Sequence, residues 1–162
     1  MQAVLNQLPR TLEEFTAMPQ MDLSRPENTC AMFLCALELY LSDQDAGVAA
    51  MNQLRGPRPM LPYDVQFLRD RLRGKEYLPK AYFNGADPAN GYTPAVPYVL
   101  EVLDDPRPQD IPEGYLRVYI RTAGADSPRP IRLRGKGGQW YLWEYSSVLS
   151  GIRIPAAEDP WA

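Results

Sequence analysis

The sequence contains no histidine, and that absence excludes several kinds of active site. Histidine is the usual general base near neutral pH and the commonest metal ligand. Ser–His–Asp and Cys–His catalysis are therefore excluded, as are His-ligated zinc and the two-His-one-carboxylate iron site. Any catalytic chemistry in this chain rests on carboxylate, lysine, tyrosine or cysteine side chains.

Cysteine and lysine are both scarce. Cys30 and Cys35 are the two cysteines, too few for a disulfide framework or a four-ligand zinc site. In one predicted helix they point about 140° apart, so they cannot bridge each other. We interpret them as two buried thiols in a reducing cytosol. Lys75, Lys80 and Lys136 lie in polar stretches broken by glycine or proline, so a desolvated catalytic lysine is not expected.

Long apolar runs are absent as well. No segment approaches the roughly 20 residues of a membrane span, and Met1–Arg10 lacks the basic and apolar regions of a secretory signal. We therefore expect a cytoplasmic protein with no membrane partner.

We also expect no metal and no cofactor. The acidic run Asp104–Asp110 lacks the order of a calcium loop, and no helix follows Gly135–Gly138 to hold a phosphate.

The composition is that of a soluble globular protein, with 162 residues of which 45% are apolar and 23% are charged. We predict a single domain over residues 1–162. Its parts are a helical region (1–75), an ordered irregular segment (76–97), an antiparallel sheet (98–153) and a tail (154–162). The predicted core is drawn from helical spacing and from the inward side of a strand: Phe33, Leu34, Leu37, Phe67, Leu68, Leu116, Val118 and Ile120.

Helices followed by strands predict an α+β fold, with N-terminal helices packed on a C-terminal antiparallel sheet of about four strands. The order of elements and the final hairpin, Gly137–Leu142, are similar to those of the cone-shaped NTF2-like and cystatin-like folds. That similarity is architectural, and folds of this kind host many functions.

Charge is distributed unevenly along the chain. The region from Gly114 to Arg153 has seven basic and two acidic residues, or +5, which leaves −8 for the rest of a chain whose net charge is −3. Strand alternation places a candidate binding surface on one face: Tyr115, Arg117, Tyr119 and Arg121, with Arg132 and Arg134 joining them if the register allows. This face either binds an anionic partner or is solvated, with arginine and tyrosine paired across strands. Nucleic acid is not expected, because the sequence pI is about 5.0.

The last strand is aromatic on both faces. Trp140, Tyr141, Trp143 and Tyr145 lie within six residues, which indicates that both faces are covered or that one is a contact surface. One interpretation has the core on one side and the tail on the other, with Trp161 folded back. The alternative is a homodimer through the sheet.

A candidate pocket consists of Glu144, Trp140 and Asp126. Glu144 is expected to point inward, because it shares the parity of Trp140 and Leu142. Asp126 lies in a predicted turn, where it either caps the turn or grips a polar ligand together with Arg129.

The chain resembles an uncharacterised bacterial family of unknown function over roughly residues 77–162. The residues that carry the resemblance are Tyr82–Ala86, Arg121–Pro130, Gln139–Tyr145, Ser150–Arg153 and Asp159–Trp161. It implies a bacterial cytosolic protein and no known activity or catalytic residue.

Function is therefore open between two classes. The first is a small non-enzymatic domain that binds another macromolecule or a second copy of itself. The alternative is an NTF2-like small-ligand pocket, or an enzyme that uses a carboxylate without histidine or metal. A pocket holding a buried carboxylate favours the alternative, whereas a filled core and an exposed aromatic sheet favour the binding domain.

Overall fold

The computed structural model describes all residues from 1 to 162 and contains four helices and five strands. The helices are α1 (Leu12–Ala17), α2 (Pro26–Ser42), α3 (Gln44–Arg55) and α4 (Pro62–Leu72). The strands are β1 (Gln2–Leu5), β2 (Tyr98–Asp104), β3 (Tyr115–Ile120), β4 (Arg129–Lys136) and β5 (Gln139–Glu144). They form one curled antiparallel sheet in the order β1-β2-β3-β4-β5. The α+β prediction is thus confirmed, and none of the helices has the length and apolarity needed to cross a bilayer.

The fifth strand, β1, comes from the part of the chain that was predicted to be helical. Ala3 and Leu5 are buried while Gln2 and Val4 are exposed, and Ala3 lies opposite Leu100 of β2. Four residues are too few for alternation to stand out in a sequence. The strand depends on pairing with a segment about a hundred residues away, which local propensity does not show.

Helix α2 is the centre of the core, as its apolar spacing predicted. From Thr29 to Tyr40 every residue is buried except Glu38, which is half-buried. Pro26 begins the helix, in the first turn where its missing N–H costs nothing. Asp43 ends α2 and caps α3, accepting a hydrogen bond of 3.2 Å from the Ala46 N–H. A Cβ atom at Gly47 would overlap the Tyr40 backbone, so the absence of a side chain allows α2 and α3 to pack in direct contact.

Most of the predicted core residues are buried in one hydrophobic cluster that spans both halves of the chain. Phe33, Leu34, Leu37, Leu68, Val118 and Ile120 are at most 1% exposed. Phe67 and Leu116 are only partly buried and lie against the outside of this cluster. The core is therefore filled by side chains.

The irregular segment at 76–97 packs on the body, as its aromatic content predicted. Tyr82 and Tyr92 are buried, and their hydroxyls donate hydrogen bonds of 2.6 Å to the carbonyls of Val148 and Arg153. The Tyr92 ring stacks on Tyr77 with centroids 5.4 Å apart. These contacts tie the segment to the chain that follows β5.

The interpretation that Trp161 folds back onto the sheet is wrong, because this side chain is 93% exposed. The inner side and edge of β5 are already occupied. The Trp140 N–H donates to the Leu23 carbonyl at 2.6 Å, and the Thr29 hydroxyl of α2 donates to the Trp140 carbonyl at 2.7 Å.

Candidate functional site

Strand β3 presents the predicted surface on the face away from the core. Val118 and Ile120 are buried, whereas Tyr115, Arg117 and Tyr119 are half-exposed. Just beyond the strand, Arg121 is exposed. In the β3–β4 register, Arg132 lies opposite Arg117 and Arg134 lies opposite Tyr115. Because directly opposed residues of an antiparallel pair share a face, the five predicted residues that belong to β3 and β4 lie on one side of the sheet.

Two of these arginines are neutralised by carboxylates. Arg117 forms a two-pronged ion pair with Asp105, with Nε–Oδ2 at 3.0 Å and Nη2–Oδ1 at 3.1 Å. The hydrogen bonds from Arg117 hold the pKa of the Asp105 carboxyl below its usual range. Arg121 lies 3.3 Å from a carboxylate oxygen of Glu101. Around these two arginines the face is therefore charge-paired across strands.

The remaining arginines belong to a different arrangement at the β4–β5 side. The Arg134 guanidinium lies 4.4 Å above the Tyr115 ring, which meets Trp143 edge-on at 5.4 Å. The Arg58 guanidinium lies 4.0 Å above the Trp143 ring. Arg58, Arg132 and Arg134 have no carboxylate oxygen within 4.0 Å. We call these residues the arginine–aromatic strip: Arg58, Tyr115, Arg132, Arg134 and Trp143.

A β-bulge in β5 adds Trp143 to this strip. Because of the bulge, the prediction that Glu144 points inward is wrong. The β4 partner of Leu142 is Leu133, but the partner of Glu144 is Arg132, so Trp143 is an extra residue in β5. The extra residue breaks the alternation from which an inward Glu144 was expected. Glu144 is exposed, and its carboxylate accepts a 2.8 Å hydrogen bond from the Ser146 N–H.

A family model described as a domain of unknown function (DUF6935) matches residues 7–156. The chain belongs to the DUF6935 family. This agrees with the predicted resemblance to an uncharacterised family, and the DUF6935 match extends through the helical half, beyond the range 77–162 that was predicted. No curated protein and no solved structure matches the chain, so the similarity to NTF2-like and cystatin-like folds stays a prediction.

Arg58 was missed as a site residue because it lies in the loop after α3, far from the strands in sequence. A buried arginine, Arg55, fixes that loop in the DUF6935 domain. Its guanidinium donates to the Arg58 carbonyl at 3.0 Å, the Tyr145 hydroxyl at 3.0 Å and the Asp64 carboxylate at 3.2 Å. Arg58 in turn donates to the Trp143 carbonyl at 2.6 Å. Burial, with a smaller contribution from the nearby Arg55 charge, lowers the pKa of Arg58.

Beside the strip, a cavity of about 290 Å³ lies between the end of β5 and α4. Arg58 and Trp143 line it together with Tyr63, which is 78% exposed. The strip therefore continues from the sheet into a groove with a further exposed aromatic ring.

The residues of the predicted pocket do not meet in this DUF6935 domain. Glu144 lines the cavity beside α4, and Trp140 is half-buried against the core. Asp126 is exposed, pairs with Arg153 and lines a separate cavity of about 300 Å³ with Arg121. The bulge at Trp143 and the filled core separate the three side chains, so they do not form one site.

Proposed function

We propose that the chain is a non-enzymatic binding domain whose arginine–aromatic strip binds an acidic segment of a partner protein. The observation that supports this best is a set of three guanidinium groups with no carboxylate oxygen within 4.0 Å. Two of them, those of Arg58 and Arg134, are stacked on half-exposed aromatic rings. Arginine, tryptophan and tyrosine are the residues that most often dominate the binding energy of protein interfaces.

The strip is organised before a partner arrives. Arg58 is stacked on Trp143 and hydrogen-bonded to its carbonyl, and Arg134 is stacked on Tyr115. Side chains that are already held lose less conformational entropy on binding than free ones. An acidic partner also gains from charge complementarity, which speeds its association.

A protein partner fits the overall charge better than a nucleic acid does. The net charge of the chain is −3, whereas nucleic-acid-binding domains are usually basic overall. We further propose a bacterial, cytoplasmic setting. Cys30 and Cys35 are free and fully buried, and burial raises the pKa of both thiols, as suits structural cysteines in a reducing compartment.

The test uses a fluorescein-labelled 12-residue peptide of Glu-Glu-Tyr repeats and fluorescence anisotropy. We expect the double variant Arg132→Glu/Arg134→Glu to weaken binding at least about tenfold, which is about 1.4 kcal/mol. The matched control is Arg69→Glu/Arg73→Glu at the end of α4, where both side chains are exposed and the change in net charge is the same. This control is expected to bind within about twofold of the wild type, because neither side chain belongs to the strip or lines the groove beside it.

Equal loss in both double variants, or no binding by the wild type, would overturn the proposal. Single-stranded RNA at about 150 mM salt provides a second probe, for which we expect no binding tighter than about 10⁻⁴ to 10⁻⁶ M. Sub-micromolar, sequence-dependent RNA binding that Arg132→Glu/Arg134→Glu abolishes would assign the strip to nucleic acid and would also contradict the proposal.

A further inference from the structure

The groove between the end of β5 and α4 differs in chemistry from the strip that it continues. Its walls are aromatic, with Trp143 on β5 and with Tyr63 and Phe67 on α4. Residues four apart on a helix lie on the same side of it. Tyr63 is 78% exposed and Phe67 is half-buried. The groove therefore leaves aromatic surface uncovered beside the three guanidinium groups of the strip.

Both walls of the groove are fixed to one buried side chain, that of Arg55. Its guanidinium donates to the Asp64 carboxylate in the first turn of α4 and to the hydroxyl of Tyr145, the residue that follows β5. Asp64 also accepts a hydrogen bond of 2.8 Å from the Leu61 N–H. The groove is thus formed before a partner arrives, as binding pockets usually are.

Glu144 gives the groove a hydrogen-bond acceptor with capacity to spare. It is exposed, and no cationic nitrogen lies within 4.0 Å of its carboxylate. Burial acts to raise the pKa of this carboxyl, but hydrogen bonds from Ser146 hold the pKa below its usual range. The group is therefore ionised at neutral pH. An ionised carboxylate has about four acceptor positions, and the 2.8 Å hydrogen bond from the Ser146 N–H occupies one of them.

The charges around Glu144 determine which kind of donor fits there. Arg132 lies directly opposite Glu144 in the β4–β5 register, and Arg58 lines the same groove. A cationic donor from a partner would be repelled by both guanidinium groups, and a carboxylate would be repelled by Glu144 itself. A neutral donor on an aromatic ring avoids both penalties, and tyrosine carries such a donor at the end of an apolar ring.

We propose that the groove binds a tyrosine side chain of the acidic segment, with its ring against Tyr63 and Trp143 and its hydroxyl donating to the Glu144 carboxylate. This inference rests on the proposed function of the strip, in which Arg132 and Arg134 bind the acidic residues on either side of that tyrosine. Aromatic side chains seated in pockets often dominate the binding energy of an interface, so the tyrosine is the anchor of the segment.

Fluorescence anisotropy with three labelled peptides of equal length and charge tests the inference. They are repeats of Glu-Glu-Tyr, of Glu-Glu-Phe, which lacks the hydroxyl, and of Glu-Glu-Ser, which lacks the ring. We expect the serine peptide to bind at least about tenfold more weakly than the tyrosine peptide, because it loses the anchor. The phenylalanine peptide should bind at least about threefold more weakly than the tyrosine peptide, because it loses only the hydrogen bond to a charged acceptor.

Two variants assign these preferences to the groove. Glu144→Ala is expected to abolish the preference for tyrosine over phenylalanine. The ratio of the two affinities is compared because the lost charge affects both acidic peptides alike. Tyr63→Ser should weaken the tyrosine peptide at least about fivefold and leave the serine peptide within about twofold. Trp161→Ser, at a residue that is 93% exposed, is the matched control and should bind every peptide as the wild type does.

The groove assignment is wrong if the serine peptide binds as tightly as the tyrosine peptide. It is also wrong if Glu144→Ala keeps the full preference for tyrosine over phenylalanine, or if Tyr63→Ser loses no affinity for the tyrosine peptide. In each case a loss of binding in Arg132→Glu/Arg134→Glu would still support the proposed function of the strip. A failure of all three peptides to bind the wild type would overturn both proposals.

Discussion

At the scale of single residues, Leu37 tests the placement of α2 at the centre of the core. Its side chain is fully buried. We expect Leu37→Ala to lower the free energy of unfolding by about 2–5 kcal/mol, because it removes buried methyl groups and leaves a cavity that the neighbours fill only in part. Urea denaturation followed by circular dichroism measures the change. Leu61→Ala, at a residue that is 64% exposed, is the control and should cost under about 0.5 kcal/mol.

Glu38 gives the stability of the protein a predictable dependence on pH. The folded pKa of this carboxyl is raised above its ordinary value of 4.5 by burial. Its neutral form therefore favours the fold, and this contribution is fully present below pH 4.5 and is lost as the pH rises through the folded pKa. We expect Glu38→Gln to match the wild type near pH 4 and to be the more stable of the two near pH 7.

Urea unfolding of both proteins between pH 4 and pH 8 measures this difference. Taking the difference between the two proteins cancels the titration of every other carboxylate. A wild type that is more stable than Glu38→Gln near pH 7 would show that the carboxylate is well paired in the folded state.

The sequence alone predicted the burial of Leu37, but it did not predict the surroundings of Glu38 or Arg58. The position of Leu37 followed from helical spacing, because a buried face repeats with the period of the helix. Glu38 has no such signal. It stands among buried neighbours, and only the folded chain brings it to the same cavity wall as Lys80. Arg58 was missed for the same reason.

At the scale of elements, the packing of α2 against α3 depends on Gly47. In an exposed helix interior, replacing glycine by alanine stabilises a protein by up to about 1 kcal/mol. Here the new Cβ would overlap the Tyr40 backbone, which cannot move away by a change of rotamer. We therefore expect Gly47→Ala to destabilise the protein by about 1–3 kcal/mol, the usual cost of overpacking.

Thermal and urea unfolding of Gly47→Ala give the sign of the change. Ala49→Gly in the same helix reports the intrinsic propensity difference, and it should cost no more than about 1 kcal/mol. A Gly47→Ala variant that is more stable than the wild type would mean that α2 and α3 lie far enough apart to hold a Cβ atom between Gly47 and the Tyr40 backbone.

Elements with a repeating local signal were predicted well, and those that depend on distant partners were not. Helix α2 and strand β3 each carry several turns or alternations of their own pattern. Strand β1 has only four residues, and the bulge at Trp143 is set by how β5 pairs with β4. A single extra residue reverses which side chains face the core, and that is why Glu144 was placed on the wrong side.

At the scale of the whole molecule, the same basic surface that suits an acidic partner opposes self-association through the sheet. In a twofold dimer each copy presents the same patch to the other. Arg58, Arg132 and Arg134 of both copies would then be enclosed in one interface. Placing like charges against each other in an interface is unfavourable by several kcal/mol, so a homodimer through this face is disfavoured.

We therefore expect the protein to be a monomer of 18.3 kDa by light scattering at about 150 mM salt. Tyr119→Ser/Arg121→Ser should leave that mass unchanged, because Arg121 is already paired with Glu101 and the face is solvated there. The variant Arg132→Ser/Arg134→Ser removes the repulsion while keeping Tyr115 and Trp143. If dimers appear only in this variant, charge on the strip is what keeps the chain monomeric. A dimeric wild type that Tyr119→Ser/Arg121→Ser converts to monomers would instead show that the sheet face binds a second copy of this chain.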